Sequence, residues 1–293
     1  MIVCFGSINL DLIFAVPALP APGETVLAPA VRLEPGGKGA NQALAAAQDG
    51  AQVVFAGAVG RDALATDALA LLRASGVACD RIALAEGSTG CAAICVDAAG
   101  RNLIAVGSGA NLAARQAQIE DALLGPGTTL LVQRETAPDE IAALIRRAHA
   151  TGARIVLNLA PAGPLAADAL AMVDVLVVNE TEAAWLAEFS NCAPEAAALR
   201  RAIGGEVVVT LGAAGLDAAT AAGAVRLAGH PVRVVDTTAA GDCFTGVLAA
   251  ALDRGLPITA ALARANAAAA LCCTRAGSQA SLPDTREIDL LLN

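Results

Sequence analysis

The 293-residue sequence has no tyrosine, one tryptophan, five phenylalanines and two histidines. His149 and His230 stand alone, and the eight cysteines form no C-x-x-C pair, so the ligand spacing of a zinc site is missing. An excess of positive charge is missing too. Nineteen basic against twenty-eight acidic residues give a net charge of −9, which excludes a general nucleic-acid binder with a basic face. An anionic small substrate is not excluded, because a local lysine, a helix N-terminus and Mg²⁺ can each overcome the net field. Long apolar runs are also missing. Mean hydropathy is +0.60, but it is carried by alanine and valine, and polar residues interrupt every apolar stretch before 18 residues, so no membrane span is expected. The opening MIVCFGSINLD has no basic stretch ahead of its apolar residues, and no secretory signal is expected. The scattered cysteines then read as reduced, buried, structural thiols of a cytosolic protein.

What is present is 56% apolar residues in a chain of a length suited to one large α/β domain. Short Val/Ile/Leu-rich runs at Ile2–Phe5, Gln52–Ala56, Thr129–Gln133, Arg154–Asn158, Val175–Val178 and Glu206–Thr210 lack polar alternation, as parallel strands covered on both faces do. Helical patterns lie between and after them, at Ala63–Ser75, Pro138–Ala150, Gly241–Asp253, Thr259–Thr274 and Asp284–Leu292. Thr136 is a candidate cap for the second of these. The alternation predicts a doubly wound, mostly parallel sheet flanked by helices. Two segments break the rhythm. Residues 10–35, rich in proline, and 88–108, with a turn at Asp97–Asn102, read as β-segments outside the main sheet and form a small lid. Phe14 is the only aromatic in them, so they offer no stacking platform for a nucleobase. The expected organisation is a single domain over residues 1–293.

In such a sheet, ligands bind beyond the carboxyl ends of the strands. Those ends carry Gln133 and Glu135, Asn158, Asn179–Glu182, and Thr210–Gly212. No P-loop is present, because Gly37-Lys38 is followed by Gly39, and no G-x-G-x-x-G follows the first strand. In Val235–Gly246 a strand-like run ends near Asp236, and small residues then lead into an apolar helix. Ala239, Ala240 and Gly241 would let backbone N–H groups at the helix start face a terminal phosphate. Asp242, in the first turn, either complements the helix dipole or serves as the general base for an attacking hydroxyl. In Pro35–Asn41, three glycines permit close backbone approach to a polyhydroxyl ligand, and Asn41 offers it a donor and an acceptor. His149 reads as a dipole-complementing residue near a helix end, and Trp185 as partly buried packing.

Gly6-Ser-Ile-Asn-Leu-Asp11, Gly36-Gly-Lys-Gly-Ala-Asn41, Asn179-Glu-Thr-Glu182, Thr210-Leu-Gly212 and Asp236-Thr-Thr-Ala-Ala-Gly-Asp242 occur in the order and spacing of the ribokinase-like (PfkB) sugar kinases. The chain resembles that superfamily from residue 2 to about residue 290. Gly109-Ala-Asn111 and Asn158-Leu-Ala-Pro161 resemble details of its ribose-phosphorylating branch. The resemblance implies transfer of the ATP γ-phosphoryl group to the primary hydroxyl of a pentose, D-ribose O5 foremost. The alternatives are a nucleoside, a ketohexose or deoxyribose as acceptor, or a non-catalytic sugar-binding protein.

Residue by residue, the resemblance implies that Asn9, Asp11, Gly37, Lys38, Asn41 and Glu135 contact the sugar. It implies that Asn179, Thr210, Gly212, Gly215 and Asn266 contact the nucleotide, and that Glu182 organises Mg²⁺ through water. It places the anion hole at Ala239, Ala240 and Gly241 and the catalytic base at Asp242. It implies a K⁺ site at Asp236, Thr238, Arg275, Gly277 and Ser281, and a homodimer paired through the lid. Three positions depart from the pattern: Leu159 follows Asn158 where proline is expected, Arg134 precedes Glu135 where an apolar residue is common, and Cys243 replaces threonine or serine.

Overall fold

The computed structural model describes all residues, 1–293. The first half of the chain forms β1 (Ile2–Phe5), β2 (Asn9–Ala15), β3 (Val31–Gly36), α1 (Lys38–Gln48), β4 (Val53–Gly60), α2 (Leu64–Ala68), α3 (Ala70–Ala74), β5 (Ala78–Ala85), β6 (Gly90–Val96), β7 (Asn102–Gly107) and β8 (Thr129–Gln133). The second half forms α4 (Pro138–Thr151), β9 (Arg154–Asn158), α5 (Ala167–Leu170), β10 (Val175–Asn179), α6 (Glu180–Phe189), α7 (Ala196–Ile203), β11 (Glu206–Thr210), β12 (Leu216–Thr220) and β13 (Gly223–Leu227). Three helices close the chain: α8 (Ala240–Asp253), α9 (Ile258–Cys272) and α10 (Thr285–Leu292).

Nine strands form one sheet in the order β13-β12-β11-β10-β9-β8-β1-β4-β5. It is parallel from β5 to β11 and closes with the antiparallel β11-β12-β13 edge. Separate cores of 39 and 34 buried residues cover its two faces, which is why the central strands are apolar without alternation. The expected doubly wound architecture is present.

Several element boundaries differ from the expectation. β4 continues past Ala56 to Gly60, because Gly57 lets the strand approach the Gly6 carbonyl, which a Cβ would meet at 2.6 Å. A turn at Leu69 divides the helix expected over 63–75 into α2 and α3, and Leu69 and Leu72 stay buried. Thr136 does not cap α4. The N-cap is Ala137, Pro138 occupies the first turn, and the Thr136 hydroxyl is buried without a partner. The run ending near Asp236 is not a strand. It is unpaired chain held by the Val235 N–H to the Cys273 carbonyl at 2.8 Å, with Val234 and Val235 exposed. All eight cysteines are free, but only Cys4, Cys243 and Cys272 are fully buried.

β3-β2-β6-β7 form a second sheet, in the segments expected to make the lid. Cross-strand partners share a face. Asp11, Ile13, Arg32, Glu34, Ile94 and Ile104 therefore lie on one side, where they line a cleft of about 820 Å³ against residues 234–238 and 276–278. The opposite side carries Leu12, Phe14, Val31, Leu33, Cys95 and Leu103. No helix is long and apolar enough to cross a membrane.

Candidate active site

The site lies beyond the carboxyl ends of the parallel strands, where the starts of α1 and α8 converge. Gly37, with φ +90°, caps α1, a conformation that favours glycine. The close approach made by the glycines here is to the protein itself. A Cβ on Gly37 would lie 2.8 Å from the Asn9 nitrogen, and one on Gly39 would lie 2.5 Å from the Ser7 nitrogen. The glycine-rich turn thus seats the N-terminus of α1 on the link between β1 and β2, rather than leaving an open cradle for a ligand.

Glu135 completes that helix start. Its Oε2 accepts the Ser7 hydroxyl at 2.6 Å and the Lys38 N–H at 3.1 Å, and the Ser7 hydroxyl in turn accepts the Gly39 N–H at 3.2 Å. Glu135 is therefore an anion at a helix N-terminus, with Oε1 left over. Asn9 is held by Asn111, whose Nδ2 donates to Asn9 Oδ1 at 2.8 Å and whose Oδ1 accepts the Ile8 N–H at 2.8 Å. Asp11 lies directly opposite Glu34 across the β2–β3 pair. Burial, and then the charges of Glu135 and Glu34, push its carboxyl up to about 7.

Lys38 is the only lysine of the chain. No carboxylate lies within ion-pair distance of it, yet the charge of Asp242, ahead of Glu135, Glu182 and Asp11, holds its ammonium above the usual range against the effect of burial. Such an ammonium, charged and unpaired, suits a ligand oxyanion.

Asp242 enters from the first turn of α8 and is buried. Each carboxylate oxygen takes one amide N–H from α1: Asn41 Nδ2 to Oδ2 at 3.0 Å and Gln42 Nε2 to Oδ1 at 2.9 Å. The Asn41 Oδ1 is buried with no partner, an acceptor left for a ligand hydroxyl. Ala239 holds φ +59° to begin the helix. The N–H groups of Gly241 and Asp242 have no protein partner. Such groups at a helix start point along the axis and favour an anion. A cavity of about 230 Å³ lies there, lined by Lys38, Asn158, Asn179, Glu182, Thr210 and Asp242, among others. It meets the lid cleft at Thr237.

Asn179 and Glu182 lock each other at the start of α6, through the Asn179 N–H to Glu182 Oε2 and the Glu182 N–H to Asn179 Oδ1, both at 2.8 Å. Burial raises the Glu182 carboxyl. One buried carboxylate at a phosphate-sized cavity fits Mg²⁺, which takes one or two carboxylates and keeps water and phosphate oxygens as its other ligands. Thr210 ends β11, Gly212 and Gly215 shape the following turn, and a Cβ on Gly215 would collide with the Leu227 carbonyl. Asn266 on α9 spends its Nδ2 on the Ala228 carbonyl at 2.8 Å and keeps Oδ1.

The residues matched to a K⁺ site are only partly brought together. Asp236 Oδ1 accepts the Thr238 N–H at 2.9 Å and its hydroxyl at 2.7 Å, and Oδ2 accepts the Gly277 N–H at 3.0 Å. Burial opposes the Asp236 charge, but these bonds outweigh it and hold the carboxyl below its usual range. Ser281 is buried and donates to the Ser278 carbonyl at 2.7 Å. The Arg275 side chain turns away to Glu287 on α10, so only its backbone remains near this loop. The donor set of carboxylate, hydroxyls and loop carbonyls suits a hard cation.

The roles of Ser7, Gln42 and the Asn111–Asn9 bond become visible only when segments 32 to 200 residues apart meet.

The chain matches the pfkB family carbohydrate kinase model over residues 1–285. It is 36% identical to the ribokinase of Bacillus subtilis over 294 residues, covering 100% of this chain and 99% of the other. Among solved structures it is similar to the ribokinase of Thermotoga maritima, with TM-score 0.92, 30% identity and 100% and 99% of the two chains covered. It is also similar to the Arabidopsis thaliana ribokinase complexed with ribose and ATP, with TM-score 0.86, 29% identity and 100% and 98% covered. A nucleoside kinase of Methanocaldococcus jannaschii shares the fold at TM-score 0.85 and 19% identity, covering 99% and 97% of the two chains.

Proposed function

The chain belongs to the pfkB family of carbohydrate kinases and is a phosphotransferase, and we propose that it transfers the γ-phosphoryl group of ATP to the 5-hydroxyl of D-ribose. The observation that carries this is the pairing of a buried, amide-held Asp242 with the unpartnered N–H groups of Gly241 and Asp242 at the same helix start. A base and an anion hole on the same first turn are what an attacking hydroxyl and a transferring phosphoryl group require.

Asn9, Asp11, Asn41 and Glu135 present acceptors and donors to the sugar hydroxyls, with Lys38 beside them. Asp242 takes the proton of the attacking hydroxyl as its oxygen bonds to phosphorus. Charge on the transferring group is met by the backbone N–H groups of Ala239, Gly241 and Asp242 and by Lys38, while the Ala240 N–H, expected to face the phosphate, is spent on the Thr237 carbonyl at 3.3 Å. Asn179, Thr210, Gly212, Gly215 and Asn266 position the nucleotide. Glu182 would hold Mg²⁺ through water, and the ion would supply charge neutralisation on the phosphates. Asp236, Thr238, Gly277, Ser281 and the Arg275 backbone would hold K⁺. The lid excludes water from the bound sugar.

The apolar outer face of the lid supports a homodimer, because Val31 and Leu33 are half exposed on an edge strand. A nucleoside acceptor is favoured by one feature, the reach of the lid cleft past Asp11 to Gly100 and Asn102.

The test is ADP formation with Mg·ATP and K⁺ across D-ribose, 2-deoxyribose, D-fructose, adenosine and uridine. Turnover is expected with ribose. Turnover with a nucleoside alone would overturn the sugar assignment, and unchanged turnover without K⁺ or Na⁺ would remove the cation site. Asp242→Asn is expected to lower kcat about 10²–10⁴-fold, the usual loss of a general base.

A further inference from the structure

Gln42 and Gln133 are both fully buried, where an amide is costly unless it is hydrogen-bonded. Gln42 lies on α1, Gln133 ends β8, Asn158 ends β9 and Asp242 starts α8. The Gln42 Nε2 donates to Asp242 Oδ1 and to Asn158 Oδ1, both at 2.9 Å. The Gln42 Oε1 accepts Gln133 Nε2 at 2.7 Å. The Asn158 Nδ2 donates to the Val177 carbonyl at 3.1 Å.

The direction of this chain follows from which groups can only accept. An ionised Asp242 accepts only, so Gln42 must turn its NH₂ toward it. Asn158 is fixed in the same sense, because its NH₂ is spent on a carbonyl and its oxygen must face Gln42. Gln42 then has its own oxygen facing Gln133, which must supply an NH₂ in turn. Each amide is oriented by the next, and both buried glutamines aim their hydrogens toward the carboxylate. Donors bonded in series polarise one another, and donors to a carboxylate favour its charged form.

We propose that Gln42, backed by Gln133, is a positioning residue for the phosphoryl transfer. It fixes the plane of the Asp242 carboxylate, so that the remaining lone pairs face the attacking hydroxyl. This rests on the assignment of Asp242 as the base. Gln42 is fully buried and its amide is spent on Asp242, Asn158 and Gln133, so it acts on the reaction through Asp242. Asn41 also bonds Asp242, but it has a free buried oxygen for the ligand. Gln42 has none, so its loss should separate kcat from sugar binding.

The experiment compares wild type, Gln42→Met, Gln42→Glu, Gln133→Met and Asp242→Asn. The readouts are kcat, the KM for ribose, the pH profile of kcat, ribose affinity by calorimetry without nucleotide, and thermal melts. Gln42→Met should lower kcat about 10- to 100-fold, the rate equivalent of a bond to a charged group, with ribose affinity unchanged and the acidic limb of the profile moved to higher pH. Gln42→Glu places a carboxylate against Asp242 and should move that limb further up, with activity recovering as pH rises. Gln133→Met reaches the base only through Gln42 and should lower kcat about 3- to 10-fold. It remains informative if Gln42→Met does not fold. Wild-type kcat and pH profile in Gln42→Met, or in Gln133→Met where only that variant folds, would overturn the inference while an inactive Asp242→Asn left the base assignment standing. Full activity in Asp242→Asn would overturn both.

Discussion

At the scale of the residue, Asp11 has the most consequential electrostatics. Its carboxyl is pushed up to about 7 by burial and by Glu135 and Glu34, so near neutral pH it changes between donor and acceptor. Ionised, it accepts from sugar hydroxyls at both oxygens; protonated, one of those oxygens becomes a donor. The KM for ribose should therefore fall as pH rises through about 7, and Asp11→Asn should abolish that dependence. The sign for stability is opposite. Because the folded protein binds this proton more tightly than the unfolded chain, the cost is absent below the ordinary carboxyl range and grows as pH rises toward 7. Asp11→Asn should be more stable than wild type at pH 8, by up to about 4 kcal/mol, the equivalent of raising a carboxyl from 3.8 to about 7. Denaturation at pH 5 and pH 8 checks both signs, and a variant less stable at pH 8 would refute the account of this residue.

At the scale of the element, the site depends on how α1 is clamped. Its start rests on Ser7 and Glu135, and its side packs on α8, where a Cβ on Gly246 would lie 2.8 Å from the Ala45 Cβ. Its end, at Asp49, is buried and bound by Arg264 Nε at 3.0 Å and by Arg254 Nη2 at 2.6 Å. Removing one partner of such a buried cluster leaves charge uncompensated. Asp49→Ala should cost about 3–5 kcal/mol in chemical denaturation, and a loss below about 1 kcal/mol, the value of an exposed pair, would contradict this.

Elements differed in how well the sequence disclosed them. β1, β8, β9 and β11 were legible to the residue, because buried parallel strands leave unbroken Val/Ile/Leu runs. The end of β4 was hidden by Gly57, β5 was only half-buried, and the β12–β13 hairpin, Leu-Asp-Ala-Ala-Thr and Gly-Ala-Val-Arg-Leu, has no unbroken Val/Ile/Leu run. The valines before Asp236 imitate a strand but find no neighbour. In the site, Asp242, Asn41 and Lys38 sit in motifs and could be read directly. Gln42 shares a motif with Asn41 yet gave no sign of its work, because its partners lie 91 to 200 residues away.

At the scale of the whole molecule, the lid turns two different faces outward and inward. The inner face carries Asp11, Arg32 and Glu34 over the cleft, and the outer face carries Leu12, Phe14, Val31, Leu33 and Leu103. An apolar sheet face of this kind is covered in a stable protein. Sedimentation should find a dimer, and Leu33→Asp should yield a monomer. A wild-type monomer at micromolar concentration would remove the lid-paired assembly.

The central claim is that a base on α8 delivers the 5-hydroxyl of ribose to the phosphoryl group of ATP at that helix's own N-terminus. The measurement that bears on it most directly is ADP release with Mg·ATP, K⁺ and D-ribose, for wild type beside Asp242→Asn. Ribose-dependent turnover that falls about 10²–10⁴-fold in the variant is the expected result. Turnover that Asp242→Asn preserves, or a wild type that ignores ribose, would contradict it.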